Sequence, residues 1–416
     1  MSNEIESGAR FDPTSQAMRL DPVGTLSQVR EQAPVQWCDE LGFWVVARYD
    51  HCWELARDPR LSFAGGGFGA NIPMEQAAEL AGDAGDELMR AAEILSSSFS
   101  FMDPPEHTRI RSLVSTAFSA RSIESQRDDI QRLADDLLDG VPSPGEFDLV
   151  ADFADPFPLS VISHIIGIPA EQRPTFHVWW DRLEALMRPN PTTATFSAGL
   201  EAMVALIDYI EDLVARRRDH PSEDLLSQLV QAEVGQDRLS RTEVVSTVLT
   251  IFAAGSITTQ RLIANGVIAL VRNPDQLARL RADHTIAPTA IEELLRFHNP
   301  DFRTDVPRIA DVDVVVGDQR IPAGQSIRLL FGAANRDPER FDDPDTLDLT
   351  RPNNRHLTFG RGEHFCLGAP LTRLEGEVAI TSLLDRFESI ELLDEFQRTS
   401  TALYDAGFPT VPVAVS

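Results

Sequence analysis

The stretch "HLTFGRGEHFCLGAPLTRLE", His356 to Glu375, decides how this chain is read. It holds Cys366, one of three cysteines in 416 residues, with Gly360 and Gly362 before it and Gly368 after it. A lone thiol can be core filler, a nucleophile or a metal ligand. The glycines argue against filler, because they permit positive φ angles and let the backbone approach something large and flat. A helix starting beyond Cys366 would aim its first amides at the sulfur and favour thiolate, which suits a nucleophile and a ligand alike. A nucleophile needs a base. His364 stands two residues away and would face the same way on an extended loop, but no oxyanion-type motif accompanies it.

Composition removes several classes of function. The other two cysteines, Cys38 and Cys52, are too far from Cys366 for a disulfide framework and lack zinc-site spacing. A formal charge of -28 repels phosphate backbones and anionic lipid, so neither nucleic acid nor a membrane surface is expected as partner. All 37 basic residues are arginine. Without lysine there is no P-loop and no pyridoxal Schiff base. The first residues, "MSNEIESGARFDPTSQAMRL", have no apolar core like that of a signal peptide. No run of about eighteen apolar residues is present to span a bilayer. The chain is therefore expected to be soluble and cytoplasmic.

Along the chain, "GFWVVARYDHCWELARDP" alternates like strands before a short helix, with Tyr49 and Asp50 at the turn. The Gly- and Ala-rich stretch from Phe63 to His107 suggests a pliable surface segment. From Pro104 to about Asp275 apolar residues recur three and four apart, the helical period. The longest candidate helix starts at a Ser240 cap and stops near Pro274. It is apolar almost all round and is expected to run through the protein's middle. Short strands follow around "VDVVVGDQRIPAGQSIRLL", then a loop from Arg351 to Cys366 and a final helix. No repeat or linker divides the sequence, so one domain over residues 1–416 is expected, mainly α with a minor β-sheet region.

A thiolate presented to haem iron from a glycine-rich loop, with imidazole and guanidinium groups for the propionates, fits the chemistry of Cys366 better than nucleophilic catalysis does. Phe359, Gly360, Gly362, His364, Cys366 and Gly368 match the haem-binding loop of cytochrome P450 at every signature position. The chain resembles that family, and its soluble bacterial members most, from "GFWVVARYD" to the carboxyl end. The resemblance implies a fold that holds haem b between the long central helix and the cysteine loop, with Cys366 as axial iron ligand. It implies His107 and Arg111 of "DPPEHTRIR", Arg308 of "VPRIADVDV" and His364 as partners of the propionates, four residues for two carboxylates. Glu293 and Arg296 of "EELLRF" would be the family's structural pair, joined by a later arginine, Arg336 or Arg351.

In the long helix, "AGSITT" matches the family's oxygen-activation motif with one departure. Ala254 and Gly255 would leave room beside the iron, and Thr258 falls at the alcohol position. Where the family has an acid, this chain has Ile257, which neither binds nor passes a proton. Either Ser256, Thr258 and water carry protons instead, or the substrate supplies them in a coupling or desaturation reaction. The resemblance implies a monooxygenase using dioxygen and NAD(P)H-derived electrons, delivered by a ferredoxin reductase and a ferredoxin. Arg109, Arg361 and Arg373 are candidates for a basic patch that meets the ferredoxin. Thr250, Ala253, Ile257, Arg303, Thr304 and Phe408 are expected to line the pocket of a small organic, natural-product substrate. Alternatives are C–C or C–O coupling of an aromatic or cyclic-dipeptide-like substrate, peroxide-driven oxidation, and a haem-thiolate sensor without turnover.

Overall fold

The computed structural model describes residues 9–13, 15–39, 41–64, 74–186, 191–234, 237–299, 307–393 and 407–416. The chain divides into two compact units. One comprises Met1–Phe63, Ala134–Ala154 and Thr258–Ser416, and the other Ala64–Leu133 and Asp155–Ile257.

The second unit is helical. Helix α1 (Glu106–Ser115) buries His107, Ile110, Leu113 and Val114, the three- and four-residue spacing of one face. Helix α2 (Pro156–Ile166) has proline in its first turn and ends on Gly167, whose φ of 93° is open to glycine but strained for other residues. The Gly- and Ala-rich stretch corrects the sequence expectation of a pliable loop. Its described part is helical over Met74–Ala81 and Gly85–Ser96, joined by a tight turn at Gly82, where φ is 53°. Alanine is the best helix former, so only the glycines in that composition interrupt structure.

The long helix α3 (Arg241–Arg272) is 32 residues and continues from this unit into the other. It opens on a reciprocal cap: Ser240 Oγ accepts from the Glu243 N–H at 3.2 Å, and Glu243 Oε2 accepts from the Ser240 N–H at 2.7 Å. Contrary to the expectation that no stretch is apolar enough to span a bilayer, it has the length and composition to cross a membrane, but 61% of its most apolar window is buried inside the protein, as in a core helix.

The first unit carries the main sheets and, among its helices, α4 (Ala287–Phe297) and α5 (Ala369–Arg386). The strands of its two larger sheets are β1 (Val35–Cys38), β2 (Phe43–Val46), β3 (Leu61–Ser62), β4 (Gly145–Asp148), β5 (Arg308–Ala310), β6 (Ser326–Leu329), β7 (Ile390–Leu392) and β8 (Pro412–Val415). One sheet runs β1-β2-β6-β5-β3, antiparallel except where β6 lies parallel to β2. The other runs β7-β8-β4, with Val413 opposite Phe147. Tyr49 begins the helix Tyr49–Leu55 rather than a turn, and Asp50 sits in its first turn. Two features position the cysteine loop. Pairing of Ser62 with Ile309 sets Phe63 beside Arg308. Gly376 lets α5 close on α3, since a Cβ there would lie 2.9 Å from Leu262.

Candidate active site

The cysteine loop is held by its own backbone. The Gly360 N–H donates to Leu357 O at 2.8 Å, Phe365 N–H to Gly362 O at 3.1 Å, and Cys366 N–H to Phe359 O at 2.8 Å. Gly360 and Gly362 have φ of 65° and 80°, where side chains with a Cβ are disfavoured. The Cys366 thiol is partly exposed, unlike the buried Cys38 and Cys52. A Cβ on Gly368 would come 3.9 Å from its sulfur, so glycine there keeps that side of the thiol open. Helix α5 begins at Ala369, directly after the loop, as its sequence signals indicate.

Beneath the loop lies a network built on α4. Arg296 donates to both Glu293 oxygens, Nε to Oε2 at 2.7 Å and NH2 to Oε1 at 2.8 Å, with both side chains fully buried. The third partner is Arg351, whose Nε donates to both carboxylate oxygens at 3.1 Å. Arg336 is bound elsewhere, to Asp345 and to Phe297 O. Asn354 and the Asp348 N–H complete the shell of Glu293. A buried charge survives only when so paired. Arg296 also donates to Asn335 O at 2.9 Å, and the Asn335 side chain holds the loop, accepting from Leu357 N–H and donating to Thr358 Oγ1. Asn335 and Thr358 carry no signal in the sequence, because their partners are set by tertiary packing.

Two sequence-predicted residues meet on Phe63, which the sequence did not single out. The His364 imidazole stacks on its ring at 3.7 Å, and the buried Arg308 guanidinium lies 4.7 Å from the same ring centroid. In the other unit, His107 and Arg111 are one turn apart on α1. Burial first, then the adjacent Arg111 charge, push the His107 pKa down, with Asp103 opposing. A neutral imidazole offers one N–H and one lone pair.

On α3, Thr250, Ala254, Ile257 and Thr258 fall on one face by their spacing. The Thr250 hydroxyl is committed, donating to Ser246 O at 2.7 Å and meeting Ser98 Oγ at 2.8 Å. Ser256 Oγ donates back to Phe252 O at 2.8 Å. The bare edge of Gly255 faces Ile162 of α2, 3.3 Å from where a Cβ would sit, so that glycine serves helix packing. Sequence reasoning also missed Glu375. Thr259 Oγ1, next after Thr258, donates to Glu375 Oε2 at 3.2 Å. The Glu375 side chain is 1% exposed and Oε1 has no hydrogen-bond partner among the described residues. Burial raises its pKa well above the ordinary carboxylate range, against the Thr259 hydrogen bond.

Of the expected pocket residues, Phe408 is buried, and Arg303 and Thr304 lie outside the described residues. Of the three arginines expected on a basic patch, Arg109 is ion-paired with Glu243 and Arg373 with Glu292. Arg361 sits 3.5 Å over the Trp53 ring and donates to Trp53 O at 3.1 Å.

These residues fit haem by their chemistry. They provide a reachable thiol on a glycine-bearing loop, a buried guanidinium with an imidazole beside it, and a neutral imidazole with a second guanidinium on α1. Comparison with known proteins agrees. The family profile described as Cytochrome P450 matches residues 89–402. Cytochrome P450 107B1 of Saccharopolyspora erythraea is 38% identical over 94% of this chain and 93% of its own length. The 6-deoxyerythronolide B hydroxylase of the same organism is 36% identical over 92% of each. The solved structure of the bacillaene polyketide synthase cytochrome P450 PksS of Bacillus subtilis superposes with a TM-score of 0.84 at 33% identity, covering 98% of this chain and all of that one. The motif loop, the Glu293–Arg296–Arg351 network and these matches together make this chain a member of the cytochrome P450 family, a bacterial-type monooxygenase whose cofactor is haem iron and whose oxidant is dioxygen.

Proposed function

We propose that this cytochrome P450 oxidises a small natural product in the cytoplasm, with electrons passed from NAD(P)H through a separate reductase and ferredoxin. The cysteine loop carries the reading: Cys366 is partly exposed, its amide is bonded to Phe359 O, and the loop turns at Gly360 and Gly362 through backbone that only glycine readily adopts. Relatives named for polyketide oxidation support the substrate class. Both units are taken to form one haem domain, a reading supported by a family match that runs through both.

In this reading Cys366 would hold the haem iron as thiolate, the ligand that favours O–O cleavage when haem is bound. Arg308, His364, His107 and Arg111 are the residues that this reading assigns to the propionates. When bound, haem supplies the dioxygen activation and oxidising power; the protein supplies orientation, dryness and protons. Thr258 offers a hydroxyl on the same helix face as Ala254, and protons pass by Thr258, Ser256 and water in place of the missing acid. Arg361 is the anchor for an acidic ferredoxin, since Arg109 and Arg373 are already paired with glutamates, whereas the strongest charge acting on Arg361 is that of another cation, Arg57. Ile257 at the acid position favours a second reading, oxidative coupling or desaturation in which substrate provides the protons.

The test is absorption spectroscopy of the purified protein, reduced and exposed to carbon monoxide. A strongly red-shifted Soret band, lost in Cys366→Ala, is expected. A band typical of neutral axial ligation in folded wild-type protein overturns the ligand assignment. NADPH consumption with surrogate reductase and ferredoxin, followed across a polyketide panel, then separates an oxygenase from a sensor, which shows no substrate-dependent consumption.

A further inference from the structure

Helix α4 carries two consecutive carboxylates that reach different parts of the chain. Glu293 is enclosed by Arg296, Arg351 and Asn354. Glu292, about 100° further round the helix by the geometry of the α-turn, meets the two ends of the cysteine loop. On the entering side, His356 Nε2 lies 3.3 Å from Glu292 Oε2. His356 Nδ1 accepts the Thr358 N–H at 3.2 Å, so a neutral ring bears its proton on Nε2, the nitrogen nearer the carboxylate. On the leaving side, Arg373 of α5 donates to both Glu292 oxygens, at 2.6 and 3.0 Å. Phe359 lies against both partners: the Arg373 guanidinium is 4.5 Å from its ring centroid, and the His356 ring centroid is 5.8 Å away. Phe359 is also the residue whose carbonyl takes the Cys366 amide.

We propose that Glu292 is a positioning residue for the sulfur ligand: by holding His356 and Arg373 on Phe359, it fixes the backbone that presents Cys366. The proposal rests on the reading of Cys366 as the iron ligand. Glu293 acts by another route: its oxygens are taken up by residues 296–354, and it reaches the loop's entering side only indirectly, through Arg296 and Asn335. Asn335 and Leu295 O hold the loop at Leu357 and Thr358 on the entering side; Glu292 is the group that also reaches Arg373 on the leaving side.

The experiment compares wild type with Glu292→Gln, which keeps the shape and removes the charge. Two readouts are taken: the share of the carbon monoxide complex absorbing as thiolate-ligated, and hydrogen exchange at the Cys366 amide. Expected are a marked rise in the neutral-ligated share and exchange faster by about tenfold, the loss of one charge-assisted bond. Arg373→Gln, which cuts one arm and touches a half-exposed side chain, should show the same changes in smaller measure, and it replaces the first variant if that one fails to fold. Lower melting temperature with wild-type ligation and wild-type Cys366 exchange would assign Glu292 a merely structural role and overturn the proposal. If wild type itself lacks the thiolate band, the ligand reading fails; the exchange measurement still decides whether Glu292 holds the loop.

Discussion

Glu375→Gln offers a quantitative test of the buried carboxyl beside α3. The group is 1% exposed, its one protein hydrogen bond comes from Thr259 at 3.2 Å, and no cation figures among the causes of its shift. Burial therefore dominates and raises its pKa well above the ordinary 4.5. The sign follows from proton counting. Over the range in which the folded chain keeps this proton and the unfolded chain has released it, folding takes up a proton, so stability falls as pH rises. The contribution is whole below about pH 4.5, and above it declines by about 1.4 kcal/mol per pH unit until the folded group itself ionises. Glutamine keeps the shape and an oxygen for Thr259, but has no proton to release. The variant should gain on wild type by that slope from about pH 4.5 upward, until the folded carboxyl ionises. A pH-independent offset of about 1 kcal/mol comes from the altered hydrogen bonding. Urea unfolding of both proteins at matched haem loading, in half-unit steps of pH, measures it. A difference that stays flat from pH 5 to 7 would mean that this carboxyl titrates normally in the fold, and would refute the reasoning.

Three further outcomes are expected. A double-mutant cycle should give Glu293 and Arg351 a coupling of about 2 kcal/mol or more, and Glu293 and Arg336 under about 0.5 kcal/mol, because only the first pair is in contact; equal couplings would refute the assignment of Arg351. Acid should weaken the wild type through Glu292. Burial alone would raise this carboxyl, but the His356 ring and the Arg373 guanidinium that face it bring it down to about 2. Its contribution is whole above about pH 4.5 and lost as pH falls toward 2, by about 1.4 kcal/mol per unit, and Glu292→Gln should lack that limb in urea titrations at pH 5 and below. Ile257→Asp should leave product formed per NADPH unchanged if substrate supplies the protons; a sharp rise in that ratio eliminates the coupling reading.

What the sequence made legible was local. The cysteine loop, the three-residue spacing of Glu293 and Arg296, and the Ser240 start of α3 are all defined within one element or one turn, where backbone geometry ties spacing to position. The third partner of Glu293 stayed open between Arg336 and Arg351, because both lie in loop after α4 and only tertiary packing chooses between them. The stretch before His107 reads as a pliable surface segment on its glycine and alanine content, but from Met74 onward its described part is mostly helical, because alanine costs the least to place in a helix.

The residues that escaped altogether are those whose chemistry depends on a partner far along the chain. Glu375 and Thr259 are 116 positions apart, and nothing in "TRLEGE" distinguishes a buried acid from a solvated one. The distinction comes from Gly376, where the missing side chain lets α5 close on Leu262 and shuts water away from the carboxyl beside it. The two glutamates of "EELLRF" make the same point at closer range. Both look like surface charges on a helix, yet one is wholly enclosed by two arginines and an asparagine while the other is shared between a histidine and an arginine across the cysteine loop. Their functions diverge because about 100° of helix rotation separates the side chains, and that rotation acquires meaning only once the cysteine loop is folded against α4.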